Sequence, residues 1–238
     1  MAIRQSINNA RARFYNIVTD YKFVKICSFT VIIVYLTLLL VGVLIAVFFG
    51  PQGYTIWTHM ISDLGGSQHT PAPIIYDLAC IIAGTLTIPL AFYIENLLAP
   101  LPNKDDHSQH YSRLKFRLSS YAFFFSIMGS LGYIGNGIFS EDRNYPLLDF
   151  ASYHDVVSFF AFGGFALGAF FLGWIVVLYD TKIPKILGVY GVIGPLTTFI
   201  TFLITMEPLI EWFLLFSILM WIIPLCLIIM LKPELIPK

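Results

Sequence analysis

Charge is scarce in this sequence. Asp, Glu, Lys and Arg make up only 12% of the 238 residues, about half of the roughly 25% usual in soluble domains. A chain so poor in charge cannot keep most of its surface in water, and no basic arm of the kind that binds nucleic acid is present. Cysteine is scarce too. Cys27, Cys80 and Cys226 lie in apolar stretches with neither C-x-x-C spacing nor an even count, which excludes a disulfide framework or a cysteine-based zinc site and leaves small packing residues. No low-complexity tract, long linker or soluble-domain segment interrupts the chain. The first 23 residues lack a short apolar core followed by a small-residue cleavage site, so the first apolar span is expected to serve as an uncleaved signal.

What is abundant is hydrocarbon, at 58% of residues. A helix needs about 20 largely apolar residues to cross a bilayer, where the backbone must satisfy its own hydrogen bonds. Six such stretches occur, over residues 24–49, 74–98, 116–138, 156–178, 186–204 and 212–231. The expected fold is therefore all-α, one six-helix transmembrane bundle. Residues 1–23 form a cytoplasmic segment, either a short interfacial helix or a frayed end, and residues 232–238 form a cytoplasmic tail. Orientation follows from the basic residues: of the 14 Lys and Arg, all but Arg143 lie in, or within two residues of, the N-terminal segment, the second and fourth connections, and the tail. The positive-inside rule puts those regions in the cytoplasm and connections one, three and five outside. With no sorting signal, a prokaryotic plasma membrane is the expected location. Membrane lipids are the expected partners, and nothing in the sequence specifies an oligomeric state.

Small and polar residues recur at helical spacing within the spans, as close helix packing in lipid requires. The second span offers Asp77, Cys80, Gly84, Thr87, Ala91 and Glu95; the fourth offers Gly164 and Gly168; the fifth offers Gly191, Gly194, Thr198, Thr201 and Thr205. These seams are expected to face the interior, with Pro195 and Pro224 kinking their helices.

Ionisable residues gather toward the outer side. The first outer connection holds His59, Ser62, Asp63 and His69 and leads to Asp77; the third holds Glu141, Asp142, Arg143 and Asp149 and leads to His154 and Asp155. Asn136 ends the third span, and Glu207 and Glu211 fall in the fifth connection. An acid such as Asp77 is hard to maintain against lipid, which makes it a functional candidate, although both Asp77 and Asp155 also sit where a helix N-terminus would stabilise a carboxylate. If residues 57–64 form a short interfacial helix, His59 and Asp63 share one face. With His154 and either Asp142 or Asp155 they could then hold a divalent ion such as zinc, which would activate water beside lipid headgroups. Ser62 with His59 is a weaker nucleophilic pair, since no G-x-S-x-G turn accompanies it. The plainer reading of Ser62 to Gly66 is a turn whose glycines take positive φ. Arg143 is expected to tie its own loop together by pairing with Glu141, Asp142 or Asp149, or to grip a lipid phosphate. His107 and His110 read as part of a solvated cytoplasmic connection.

The run Ile61-Ser62-Asp63-Leu64-Gly65, with Pro71, Pro73 and Asp77 opening a helix that carries Gly84, resembles the prokaryotic membrane family known as domain of unknown function 998. A more distant resemblance is to the damage-regulated autophagy modulator, Frag and Sfk group. Gly135-Asn136-Gly137-Ile138-Phe139 followed by His154-Asp155 is similar to a second shared block. An Asn is common in that family where this chain has Asp77. The resemblance implies a six-span fold and family-like status for Ser62, Asp63, Gly65, Asn136, His154 and Asp155, with no shared catalytic scheme. Three function classes stay open: an outer pocket that binds a lipid headgroup or small polar ligand, a metal-dependent lipid hydrolase, and a proton- or ion-coupled carrier using Asp77 and Glu95.

Overall fold

The computed structural model describes residues 2–98, 112–143, 145–148 and 151–231. Seven α-helices follow in order: α1 (Ala2–Val18), α2 (Tyr21–Phe49), α3 (Ile74–Leu98), α4 (Arg113–Ile138), α5 (Tyr153–Leu178), α6 (Lys185–Thr205) and α7 (Pro208–Leu231). The last six are long and apolar enough to cross a membrane. The chain is a multi-pass integral membrane protein. The expected tail at 232–238, and Lys104, His107, His110 and Asp149, lie outside the described residues.

Helix boundaries follow from local chemistry. Asp20 accepts from Phe23 N and starts α2, Ser112 accepts from Lys115 N at α4, and Ser152 and Asp155 form a reciprocal capping box at α5. Lys185 donates to the carbonyls of Val176, Val177 and Tyr179 at the far end of α5, placing a cation where the helix dipole is negative. The N-terminal segment is a helix and not a frayed end: α1 runs 17 residues and is fixed to the bundle by Phe14 and Tyr15 against Phe92.

Each spanning helix packs on its neighbours in chain order, from α2 round to α7, and the ring closes loosely because α2 touches α7 only slightly. Tyr21 Oη donates to Met230 O at 3.1 Å, so both ends of the bundle's chain lie at one face, here the proximal face. The connections α2–α3, α4–α5 and α6–α7 cover the distal face.

Glycines set the closest contacts. A Cβ at Gly84 would lie 2.5 Å from Ser130 O, and one at Gly164 would lie 2.3 Å from Gly129 N, so α4 packs nearly backbone to backbone on α3 and α5. The α3 seam is a packed interface, with Thr87 and Ser130 hydroxyls 3.0 Å apart across it. The seam expected on α6 holds only in part: Gly191 admits Trp221, while Thr198, Thr201 and Thr205 bond back to carbonyls of their own helix. A threonine hydroxyl that finds its acceptor one turn earlier needs no partner helix.

Candidate functional site

The distal connections are stitched to one another by residues far apart in sequence. Between α2 and α3 the chain forms a turn at 55–59 and a short 3-10 helix, Ser62–Gly65. No α-helix covers residues 57–64, so His59 and Asp63 do not share a helical face. Asp63 turns back locally instead, accepting from Met60 N at 2.8 Å, the kind of bond by which Asp competes with helix. Among the described glycines positive φ falls at Gly53 and not at Gly65 or Gly66. What Gly65 supplies is room: a Cβ there would meet Ser140 Cβ at 3.1 Å and Asp77 Oδ1 at 3.3 Å. A second 3-10 turn, Glu141–Arg143, packs against the first, followed by a small antiparallel ribbon pairing Pro146 with Ser152.

At the centre of this face Arg143 pairs with Asp77. One guanidinium nitrogen, Nη2, donates to Asp77 Oδ2 at 2.5 Å, to Gly137 O at 2.9 Å and to Ser140 Oγ at 3.1 Å. The Asp77 side chain is only 5% exposed, whereas that of Arg143 is 45% exposed. Arg143 therefore ties its loop to α3, not to Glu141 or Asp142 as expected. The buried acid is the stronger attractor because it has little water to turn to. Asp142 bonds both Ser67 N and Ser67 Oγ, near 2.8 and 2.9 Å, joining the third connection to the first.

Glu211, which hydrophobicity alone assigns to the fifth connection, lies in the first turn of α7 and is 3% exposed. Its carboxylate accepts from Ile61 N at 2.6 Å, and Trp212 Nε1 donates to His59 O at 3.2 Å, so α7 holds the first connection by its backbone. Glu207 is exposed. Pro208 as the first helical residue is the signal that extends α7 to include Glu211.

The remaining candidates form smaller groups, and the rings of His59 and His69 meet edge to face with centroids 5.1 Å apart. His59 bonds Thr58 Oγ1 through Nδ1 at 2.8 Å and stacks on Tyr54. His69 lies 3.9 Å from Asp63. His154 is buried, bonding Phe139 O at 2.8 Å and facing Glu141 at 3.5 Å, while Ser158 donates to Asn136 Oδ1. Asp155 is occupied by its capping box. Ser62 is buried, and no hydrogen bond joins it to His59 among the described residues. Among the described residues no three His, Cys, Asp or Glu side chains gather as a metal-binding group; His59, Asp63, His154 and Asp155 are not brought together as one ligand set.

Burial pushes the Glu141 carboxyl above its ordinary range, opposed by the His154 imidazole and reinforced by the charges of Asp63 and Asp155. Burial also raises the Tyr54 phenol, helped by Asp63 and Glu211. Below this roof an apolar cleft of about 590 Å3, counting its open mouth, lies among Val31, Tyr35, Ala83, Phe165, Ile218 and Ile222. Its two phenols, Tyr35 and Tyr133, bond each other, which leaves them asking nothing polar of an occupant.

Together these features define an all-α membrane bundle with a latched polar face. Comparison of the chain with the profiles of protein families, with curated proteins and with solved structures finds no match.

Proposed function

We propose that the protein binds a phosphate-bearing lipid headgroup at its distal face, which the distribution of basic residues would turn outward, in a prokaryotic plasma membrane. The observation that carries this reading is Arg143. Its guanidinium is held from below by buried Asp77, yet it is half exposed, and Nε and Nη1 have no hydrogen-bond partner among the described residues. A cation so anchored spends little conformational entropy on a ligand phosphate. The acids of its own turn, Glu141 and Asp142, disfavour a wholly anionic ligand and suit an ammonium group. The matching chemistry is a zwitterionic headgroup with phosphate on Arg143 and ammonium toward the acids.

Binding is preferred to metal-dependent hydrolysis because the proposed ligands are dispersed. It is preferred to ion carriage because the cavities that Thr87 and Ala91 line beside α3 are walled mainly by apolar side chains, and no further charged residue stands between Asp77 and Glu95 on that helix. The reading includes membership of the family known as domain of unknown function 998, a proposal that rests on the sequence resemblance and that the six apolar spans support.

The test is native mass spectrometry of the wild-type protein and of Arg143→Lys, which keeps the charge beside Asp77 but loses the planar donors. Wild-type protein should retain a phosphatidylethanolamine in preference to a phosphatidylglycerol, and the folded variant should lose that preference. Equal retention by both proteins would sink the proposal.

A further inference from the structure

At the opposite, proximal face, the end of α1 and the start of α2 line an open crevice, independent of the Arg143 reading. Its volume is about 1040 Å3 including the open mouth, and Asn9, Arg13, Asn16, Ile17, Asp20 and Phe23 line it. Asn9, Arg13 and Asn16 are spaced 4 and 3 residues apart along α1, which sets them on one helical face. All three are exposed, and none has a hydrogen-bond partner among the described residues. The one acid present, Asp20, is engaged by Phe23 N at 2.9 Å as the cap of α2. From the crevice an exposed apolar strip, Phe23, Ile26, Phe29 and Ile33, runs along α2.

We infer that this crevice is a binding site for an anionic phospholipid, its phosphate held by Arg13 with the amides of Asn9 and Asn16 and one acyl chain laid along the α2 strip. Three features argue for that occupant. The crevice lies where α2 enters the apolar layer, the level at which headgroups sit. Its free donors are cationic or amide, and Arg11, Lys22 and Lys25 around it are exposed cations, so the local field favours a negative headgroup. Its walls are fixed in advance, because Phe14 and Tyr15 rest on Phe92 with ring centroids 5.9 and 6.2 Å apart, so little ordering accompanies binding.

The experiment titrates full-length protein in neutral detergent with a short-chain phosphatidylglycerol and counts bound lipid by native mass spectrometry. In neutral micelles no extended anionic surface exists, so charge alone does not concentrate the lipid. Arg13→Gln should weaken binding by about 10- to 100-fold, the loss of a hydrogen bond to a charged group, and Asn16→Ala should weaken it less. Arg117→Gln, an equal charge loss at the exposed start of α4, should leave it unchanged. Inorganic phosphate added alone should not compete, since it lacks the chain that the α2 strip receives. Equal affinity in wild type and Arg13→Gln, equal loss in Arg117→Gln, or displacement by inorganic phosphate would each overturn the inference.

Discussion

Replacing Arg143 by methionine strands the Asp77 carboxylate in the protein interior. Removing one partner of a fully buried pair costs about 3 to 5 kcal/mol. Arg143 is 45% exposed, so water follows where the guanidinium leaves, and the cost should fall to about 2 to 3 kcal/mol. For a chain of this length that is a loss of roughly 4 to 12 °C in Tm. Asp77→Asn leaves a hydrated guanidinium and an amide oxygen still able to accept from it, for a loss of under about 1 kcal/mol. The two effects should not add. Asp77→Asn introduced into Arg143→Met removes the stranded charge and should restore about 1 to 2 kcal/mol. Thermal unfolding in one detergent, followed by circular dichroism, measures all four proteins. If Asp77→Asn proves as costly as Arg143→Met, or the double variant equals the sum of the singles, the ion pair is not what holds α3 to the third connection.

At the α4–α5 contact, Gly164→Ala drives a Cβ to 2.3 Å from Gly129 N and should cost about 1 to 3 kcal/mol, or prevent stable expression, as read by thermal unfolding and yield. Glu211→Ala removes the acceptor of the buried Ile61 N–H and should cost about 1 to 3 kcal/mol, with faster amide exchange at Ile61; Glu211→Gln should recover much of it. Glu141 has a raised folded-state pKa, so the native state holds a proton the unfolded state has lost. Stability should decline as pH rises from the ordinary carboxylate range through the raised value. A Tm series against pH should show that decline in wild type and its flattening in Glu141→Gln.

The spans were legible because lipid imposes one strong rule on length and composition. Residues 74–98 were bounded correctly, with Pro71 and Pro73 before and a polar run after. The starts of α2, α4, α5 and α7 lay three or four residues earlier than hydrophobicity alone suggests, since caps such as Asp20 and Ser152 and the proline at 208 set them, not apolarity. The convergence of distal polar residues was readable as a tendency, and the bonds from Ser67 to Asp142 and from Ile61 to Glu211 realise it. The partners were not readable. Asp77 and Arg143 are 66 positions apart, and no periodicity links them; sequence proximity pointed Arg143 to its neighbours Glu141 and Asp142. His59 and Asp63 failed as a pair for the opposite reason, because spacing four apart implies contact only on a helix, and a side-chain bond to Met60 N ended that helix before it began.

The loose closure between α2 and α7 also bears on how the chain is made. Apart from that seam, each helix rests mainly on the one synthesised just before it, so α3 can settle on α2, and α4 on α3, in the order they leave the ribosome. Contacts between elements adjacent in the chain form fast and at small entropic cost. The distal latches close later: Asp77 on α3 waits for Arg143 until the third connection emerges, and Ile61 N–H waits for Glu211 until α7 is made.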